Sequence, residues 1–191
     1  MNTNLQTNAK TDVKSITVSA LLTAIAILIP MYMPFKIVLE PVFSATFASH
    51  VPGILALFVG PAAVVGTAIG SALGFFAALG NPWVAARAFM HLFFGLAGYA
   101  LAKQRYNIFL IIGITALLHA GCEMLVGLTS IPFITAPSSG FVWYILITIG
   151  LGTIIHHCID FAIVLLIYKP LQKAKILPFP LNYKQFRVQE Q

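Results

Sequence analysis

The sequence predicts an all-α fold, a polytopic membrane bundle of about six transmembrane helices, and three observations carry that prediction. Only 8% of the 191 residues are charged and 59% are hydrophobic, where a soluble domain carries about a quarter charged residues. The apolar residues gather into runs of roughly 20, the length that crosses a bilayer, separated by Gly, Pro and polar punctuation. Lysine and arginine fall at the ends of those runs, and nearly all at the same end. A chain of this kind cannot cover a water-facing surface, so its solvent is lipid. The formal charge of +6 therefore reflects membrane orientation, and no nucleic-acid partner is expected.

Residues 1–14 are polar and form a cytoplasmic N-terminal segment, 15–168 hold the six-helix transmembrane domain, and 169–191 are a basic cytoplasmic tail. The first helix covers Ser15–Met33, a run too long for a signal-peptide core and without a small-x-small cleavage site, so it reads as a retained span. Pro30 and Pro34 close it, and a polar loop with Lys36, Glu40 and Pro41 follows. Helix 2 is expected over Ser44–Val59, short and kinked at Pro52, and Gly60-Pro61 turns into helix 3 at Ala62–Leu79. The Gly80-Asn81-Pro82 turn precedes helix 4 at Trp83–Ala102, and Lys103-Gln104-Arg105 separates it from helix 5 at Ile108–Leu128. A second loop, Thr129–Gly140, leads to helix 6 at Phe141–Tyr168. Lys10, Lys14, Lys103, Arg105, Lys169, Lys173, Lys175, Lys184 and Arg187 share one face and only Lys36 lies on the other, so both termini are placed in the cytoplasm of a multi-pass cell-membrane protein.

Small residues mark close helix approach. Gly66, Gly70 and Gly74 make one side-chain-free stripe on helix 3, and Ala20 and Ala24 repeat the spacing on helix 1. Cys122 and Cys158 lie inside apolar runs with no CxxC pattern and read as packing residues.

Ionisable groups inside a bilayer cost several kcal/mol each and are functional candidates by default. Here they come as i,i+4 pairs: Arg87 with His91, His119 with Glu123, and His156 with Asp160, with His157 alongside. Counting depth along each helix puts Arg87, His91, His119, Glu123 and His50 in the outer half and His156, His157 and Asp160 in the inner half. The outer group is expected to form a substrate pocket. Arg87 would meet a ligand carboxylate, His91, His119 and His50 would hydrogen-bond, Glu123 would pair with Arg87 or with a cationic ligand, and Trp83, Trp143 and Tyr144 would form aromatic walls. Simple neutralisation of Arg87 by Glu123, and interface anchoring by the two tryptophans, are the competing structural readings. The His156/Asp160 pair is read as a satisfied structural pair. Histidines and carboxylates in these numbers also raise an intramembrane metal-dependent enzyme, but the two groups are expected to lie too far apart for one site, so neither metal nor cofactor is assigned. No phosphate loop is present, so active transport would need partners or an ion gradient.

Length, helix count, cytoplasmic termini, the long first outer loop and the Ala20–Ala24 stretch together resemble the substrate-binding S components of energy-coupling factor (ECF) vitamin transporters. Phe43–Pro52 (FSATFASHVP), Gly70–Phe75 (GSALGF), Ala85–His91 (AARAFMH) and Gly152–Asp160 (GTIIHHCID) are similar to the niacin-uptake subgroup. The resemblance implies a non-enzymatic capture subunit for a small water-soluble vitamin, niacin before pantothenate or another vitamin. It also implies docking of Ala20 and Ala24 on a membrane coupling subunit, and energy from two ABC-type ATPases outside this chain.

Overall fold

In a computed structural model of the chain, residues 3–177 and 181–183 are described. Lys184 and Arg187, counted above toward the basic tail, lie outside them. The fold is an all-α membrane bundle with one β-hairpin inserted after the first helix. Among the described residues five helical segments are long and apolar enough to span a bilayer: Val13–Tyr32, Pro61–Leu79, Pro82–Lys103, Ile108–Phe133 and Phe141–Lys173.

The first helix, α1 (Thr3–Tyr32), begins well ahead of its apolar run and packs along α3 (Pro61–Leu79). The glycine stripe explains the contact. A Cβ at Gly74 would stand 2.4 Å from the Ile27 carbonyl oxygen, and one at Gly70 would stand 2.8 Å from that of Thr23, so the backbones touch where side chains are missing. The opposite side of α1 stays open, with Ala20, Leu21, Ala24, Ile25 and Leu28 exposed.

The expected second helix is the main correction to the sequence reading. Instead of one helix over Ser44–Val59, the chain forms an antiparallel hairpin of β1 (Lys36–Leu39) and β2 (Phe43–Thr46), a tight turn, and a short α2 (Val51–Ala56). Pro52 sits in the first turn of α2, where its missing N–H is harmless, and thereby sets the start of the helix at that turn. Non-helical backbone is tolerated within a membrane only inside protein, and Val42, Phe43, Ser44, Thr46, Ser49 and His50 are all buried. This segment still returns the chain to the far end of the bundle, where Phe58 meets Tyr168 edge-on at 4.9 Å.

Helix 4 is also broken. It consists of α4 (Pro82–Phe89) and α5 (His91–Lys103), separated by a tight turn at Met90, whose N–H bonds to the Arg87 carbonyl at 3.0 Å. The next helix, α6 (Ile108–Ser130), is regular. The last span starts as one short turn, α7 (Phe141–Trp143), winds as a π-helix over Tyr144–Leu151, and becomes α8 (Gly152–Lys173). A π-helix uses more residues per turn than an α-helix, so it rotates and shortens the segment below it, and such insertions gather at functional sites. Cys158 is exposed and Cys122 half-buried, so the reading of both as core packing residues does not hold for Cys158.

Candidate functional site

Side chains from the hairpin–α2 segment, α4, α5, α6 and α8 converge on one buried polar cluster. Arg87 projects from the last turn of α4 and is 2% exposed, and an uncompensated guanidinium at that burial would be prohibitive. Its Nη2 donates to Glu123 Oε2 of α6, and its Nη1 donates to the Val42 carbonyl of the hairpin at 2.5 Å. The Phe43 ring lies 4.9 Å from the guanidinium carbon and covers it. Thr153 of α8 donates to the same Glu123 oxygen at 2.5 Å. The pairing of Arg87 with Glu123, one of the two alternatives the sequence left open, is therefore present.

The other Glu123 oxygen, Oε1, faces histidines: His119 Nε2 at 3.2 Å and His91 Nε2 at 3.9 Å. His119 continues the network, since its Nδ1 stands 3.2 Å from His157 Nδ1, and His157 Nε2 stands 3.0 Å from the Thr115 hydroxyl. Only one of two facing Nδ1 atoms can carry the proton in such a contact, so the tautomers of this pair are linked. Phe94 packs against both rings, at 4.6 Å from His119 and 5.0 Å from His157.

His50 lies where the turn after the hairpin enters α2, between the two halves of the cluster. Asp160 of α8 accepts from the backbone N–H of Ala48 at 3.0 Å and of His50 at 2.9 Å. That clasp holds Ala48 at φ +63°, a left-handed conformation an alanine adopts only when its surroundings impose it. Asp160 Oδ2 also lies 3.1 Å from His50 Nδ1 and 3.3 Å from His156 Nε2. The His156/Asp160 contact expected from the sequence is present, but Asp160 chiefly fastens the loop that carries His50. The expected separation of outer and inner groups is overturned: His157 and Asp160 meet His119 and His50 directly. Depth counted along regular helices misplaced them because the π-helical stretch advances less per residue, and because His50 sits on a loop free to lie between the layers.

The aromatic candidates scatter. Tyr144 is buried, and its hydroxyl accepts from the N–H groups of Val42 and Phe43, at 3.0 and 2.9 Å, while donating to the Leu39 carbonyl at 2.5 Å. It pins the hairpin closed over Arg87. Trp83 is half-buried and stacks on Phe133 at 5.5 Å, and Trp143 is 59% exposed. Sequence reasoning missed Thr153, Thr115, Phe43, Ser44 and Phe94, polar or aromatic residues of a kind scattered along every span, with no spacing that marks them.

Ser44, His50, Phe75, Val84, Ala88, His91, Arg87 and Glu123 enclose a cavity of only about 10 Å³, room for a single water, so this conformation is closed. Three buried polar atoms of its lining residues, Arg87 Nε, Ser44 Oγ and His50 Nδ1, have no hydrogen-bond partner among the described residues. A larger cavity of about 790 Å³ lies between the hairpin and the last span, but apart from Lys36, Thr148 and His156 its walls are apolar and suited to lipid chains.

A multi-pass bundle that buries an arginine, four histidines and two carboxylates, with a fifth histidine half-buried, beneath a pinned hairpin has the form of a membrane protein built around a small polar molecule. The chain is 34% identical over 156 residues to the niacin transporter NiaX of Lactococcus lactis subsp. cremoris, an alignment that covers 77% of this chain and 68% of that protein. The chain belongs to this niacin-transporter family, in agreement with the subgroup its motifs resemble, and is a transport protein, not an enzyme. No protein-family model and no solved structure matches it.

Proposed function

We propose that this chain is the substrate-binding S component of an ECF-type importer and that it binds nicotinate at Arg87, His91, His119, Glu123 and His50. One observation carries the reading: Arg87 is buried with its Nε unpartnered among the described residues, beside the equally unpartnered Ser44 Oγ, on the wall of the same small cavity. Buried donors of this kind call for an acceptor, and a carboxylate is the group a guanidinium serves best. His50, His91 and Phe75 line the same cavity, and one of the histidines would serve the pyridine nitrogen.

The cavity is far below the roughly 300–1,000 Å³ of open ligand pockets, so binding requires the hairpin to lift. Tyr144 and the Arg87 bond to Val42 are among the contacts that hold it, together with Asn81 on the Pro41 carbonyl and His156 on the Thr46 carbonyl, and a ligand carboxylate competing for Arg87 would release one of them. Energy comes from two ABC-type ATPases through a membrane coupling subunit, docked on the open Ala20/Ala24 face of α1. Both termini face the cytoplasm, in keeping with the one-sided distribution of lysine and arginine.

Calorimetric titration of the purified chain in detergent tests this. Nicotinate should bind without turnover, nicotinamide should bind about ten- to a hundredfold more weakly because it lacks the charge that Arg87 meets, and pantothenate should give no heat. Equal affinity for nicotinate and nicotinamide would remove Arg87 as the anchor, and binding of pantothenate alone would change the substrate.

A further inference from the structure

We propose that His50, His91, His119 and Glu123 form a binding site for a divalent first-row transition ion of the zinc class. The inference reaches beyond the vitamin-binding reading and does not require it. One candidate ligand atom from each of these four residues lies within 4.8 Å of the other three, and all four side chains are buried. The three imidazoles form a near-equilateral set, with ring centroids 4.6, 4.6 and 4.9 Å apart. Their planes are mutually inclined at 79°, 84° and 86°, so the rings do not stack but stand as three separate walls around one point. Edge-to-face contact is also the ordinary packing of aromatic rings, so the ring planes are compatible with a shared ion and the convergence of four ligand atoms within 4.8 Å carries the inference. Tetrahedral zinc, with bonds of about 2.0–2.1 Å, sets its ligand atoms about 3.3 Å apart, and the 3.2 Å between His119 Nε2 and Glu123 Oε1 already meets that spacing.

The residues behind these four are those that orient metal ligands. Glu123 is divided: Oε2 is held by Arg87 and Thr153, which leaves Oε1 as the oxygen on the histidine side. His119 turns its remote Nδ1 to His157 at 3.2 Å, and His50 Nδ1 lies 3.1 Å from Asp160 Oδ2, which places a carboxylate beside one candidate ligand as a second-sphere partner. Charge points the same way. With neutral histidines, ionised Glu123 and Asp160 outweigh Arg87 by one negative charge in a buried, low-dielectric place, and a divalent cation reverses the sign. Three imidazoles and one carboxylate are a borderline donor set that suits zinc or cobalt over calcium or magnesium. The second group of candidate ligands, His50, His156 and Asp160, is the weaker one, because Asp160 is already engaged by two backbone amides and His156 Nε2 lies 3.0 Å from the Thr46 carbonyl.

The test uses the full chain purified through a tag without histidine, in the absence of any vitamin. After equilibration with Zn²⁺ and removal of free metal, elemental analysis should find about one equivalent per chain, and Co²⁺ in its place should give the intense visible absorption of a four-coordinate site. His91→Asn and His119→Asn should each lose the metal, while His156→Asn retains it. The proposal is overturned if the native chain retains no Zn²⁺ and shows only the weak absorption of hexa-aqua Co²⁺, or if His156→Asn loses the metal and His91→Asn keeps it. Because the Co²⁺ spectrum is read on the native chain, the test stands even where a variant fails to fold.

Discussion

Arg87 binds the hairpin, α4 and α6 into one unit, and its substitution has two separable consequences. Arg87→Ala should remove nicotinate binding, and it should also destabilise the fold by about 3–5 kcal/mol because Glu123 would be left as an unpaired buried charge. A double variant, Arg87→Met with Glu123→Gln, removes both charges; it should recover most of the thermal stability in detergent and still show no nicotinate heat by calorimetry. Recovery of binding in the double variant would show that neither residue touches the ligand. Tyr144→Phe deletes one hydroxyl that satisfies two N–H groups and one carbonyl, and should cost about 1–3 kcal/mol. Hydrogen exchange at Val42 and Phe43 should accelerate, and unchanged protection there would mean that something else holds the hairpin. The ionisable residues of both groups were legible because charge within an apolar run stands out. Tyr144 was legible only as an aromatic, since a hydroxyl directed at backbone more than a hundred positions away has no local mark.

At the scale of elements, the glycine stripe of α3 was read correctly as a packing surface, and its partner on α1 became visible only with the two backbones in contact. Gly74→Ala would press a methyl group against the Ile27 carbonyl, a neighbour that cannot rotate away, and should lower stability by about 1–3 kcal/mol. Gly113→Ala on α6 meets nothing within 4 Å and should leave the melting temperature unchanged or slightly raised. Equal losses in the two variants would indicate a general intolerance of helix substitution and no special contact at Gly74. The long apolar runs announced α3 and α6 with good boundaries, and α1 and the last span in place but short of the polar turns by which α1 begins at Thr3 and the last span runs on to Lys173, because hydropathy marks only the part of a helix that crosses lipid. The hairpin, the break at Met90 and the π-helical stretch were hidden because each is compatible with a helical composition, and the hairpin in addition is held by hydrogen bonds to Tyr144 and Arg87, far away in the chain.

For the whole molecule, the two sides of α1 differ. Its glycine-matched side is committed to α3, and its Ala20/Ala24 side is free to meet another membrane protein. Ala24→Trp should leave nicotinate affinity of the purified chain unchanged while abolishing cellular uptake and copurification with a coupling subunit. Loss of affinity together with uptake would place Ala24 in the internal packing. The Asn182 carbonyl accepts from the Ile108 N–H at 2.8 Å, which keeps the basic turn before α6 beside the C-terminal segment at one end of the bundle.

Membrane residence, the order of the spans, the clustering of basic residues at one end and the identity of the buried ionisable groups all follow from composition and periodicity, because transfer into lipid is governed by each segment's own polarity. The joining of two histidine groups into one cluster, the hairpin closed over Arg87 and the fastening of His50 by Asp160 depended on tertiary structure. Those features are set by contacts between residues far apart in the chain, and buried polar atoms choose partners by geometry in three dimensions, which no spacing along the sequence records.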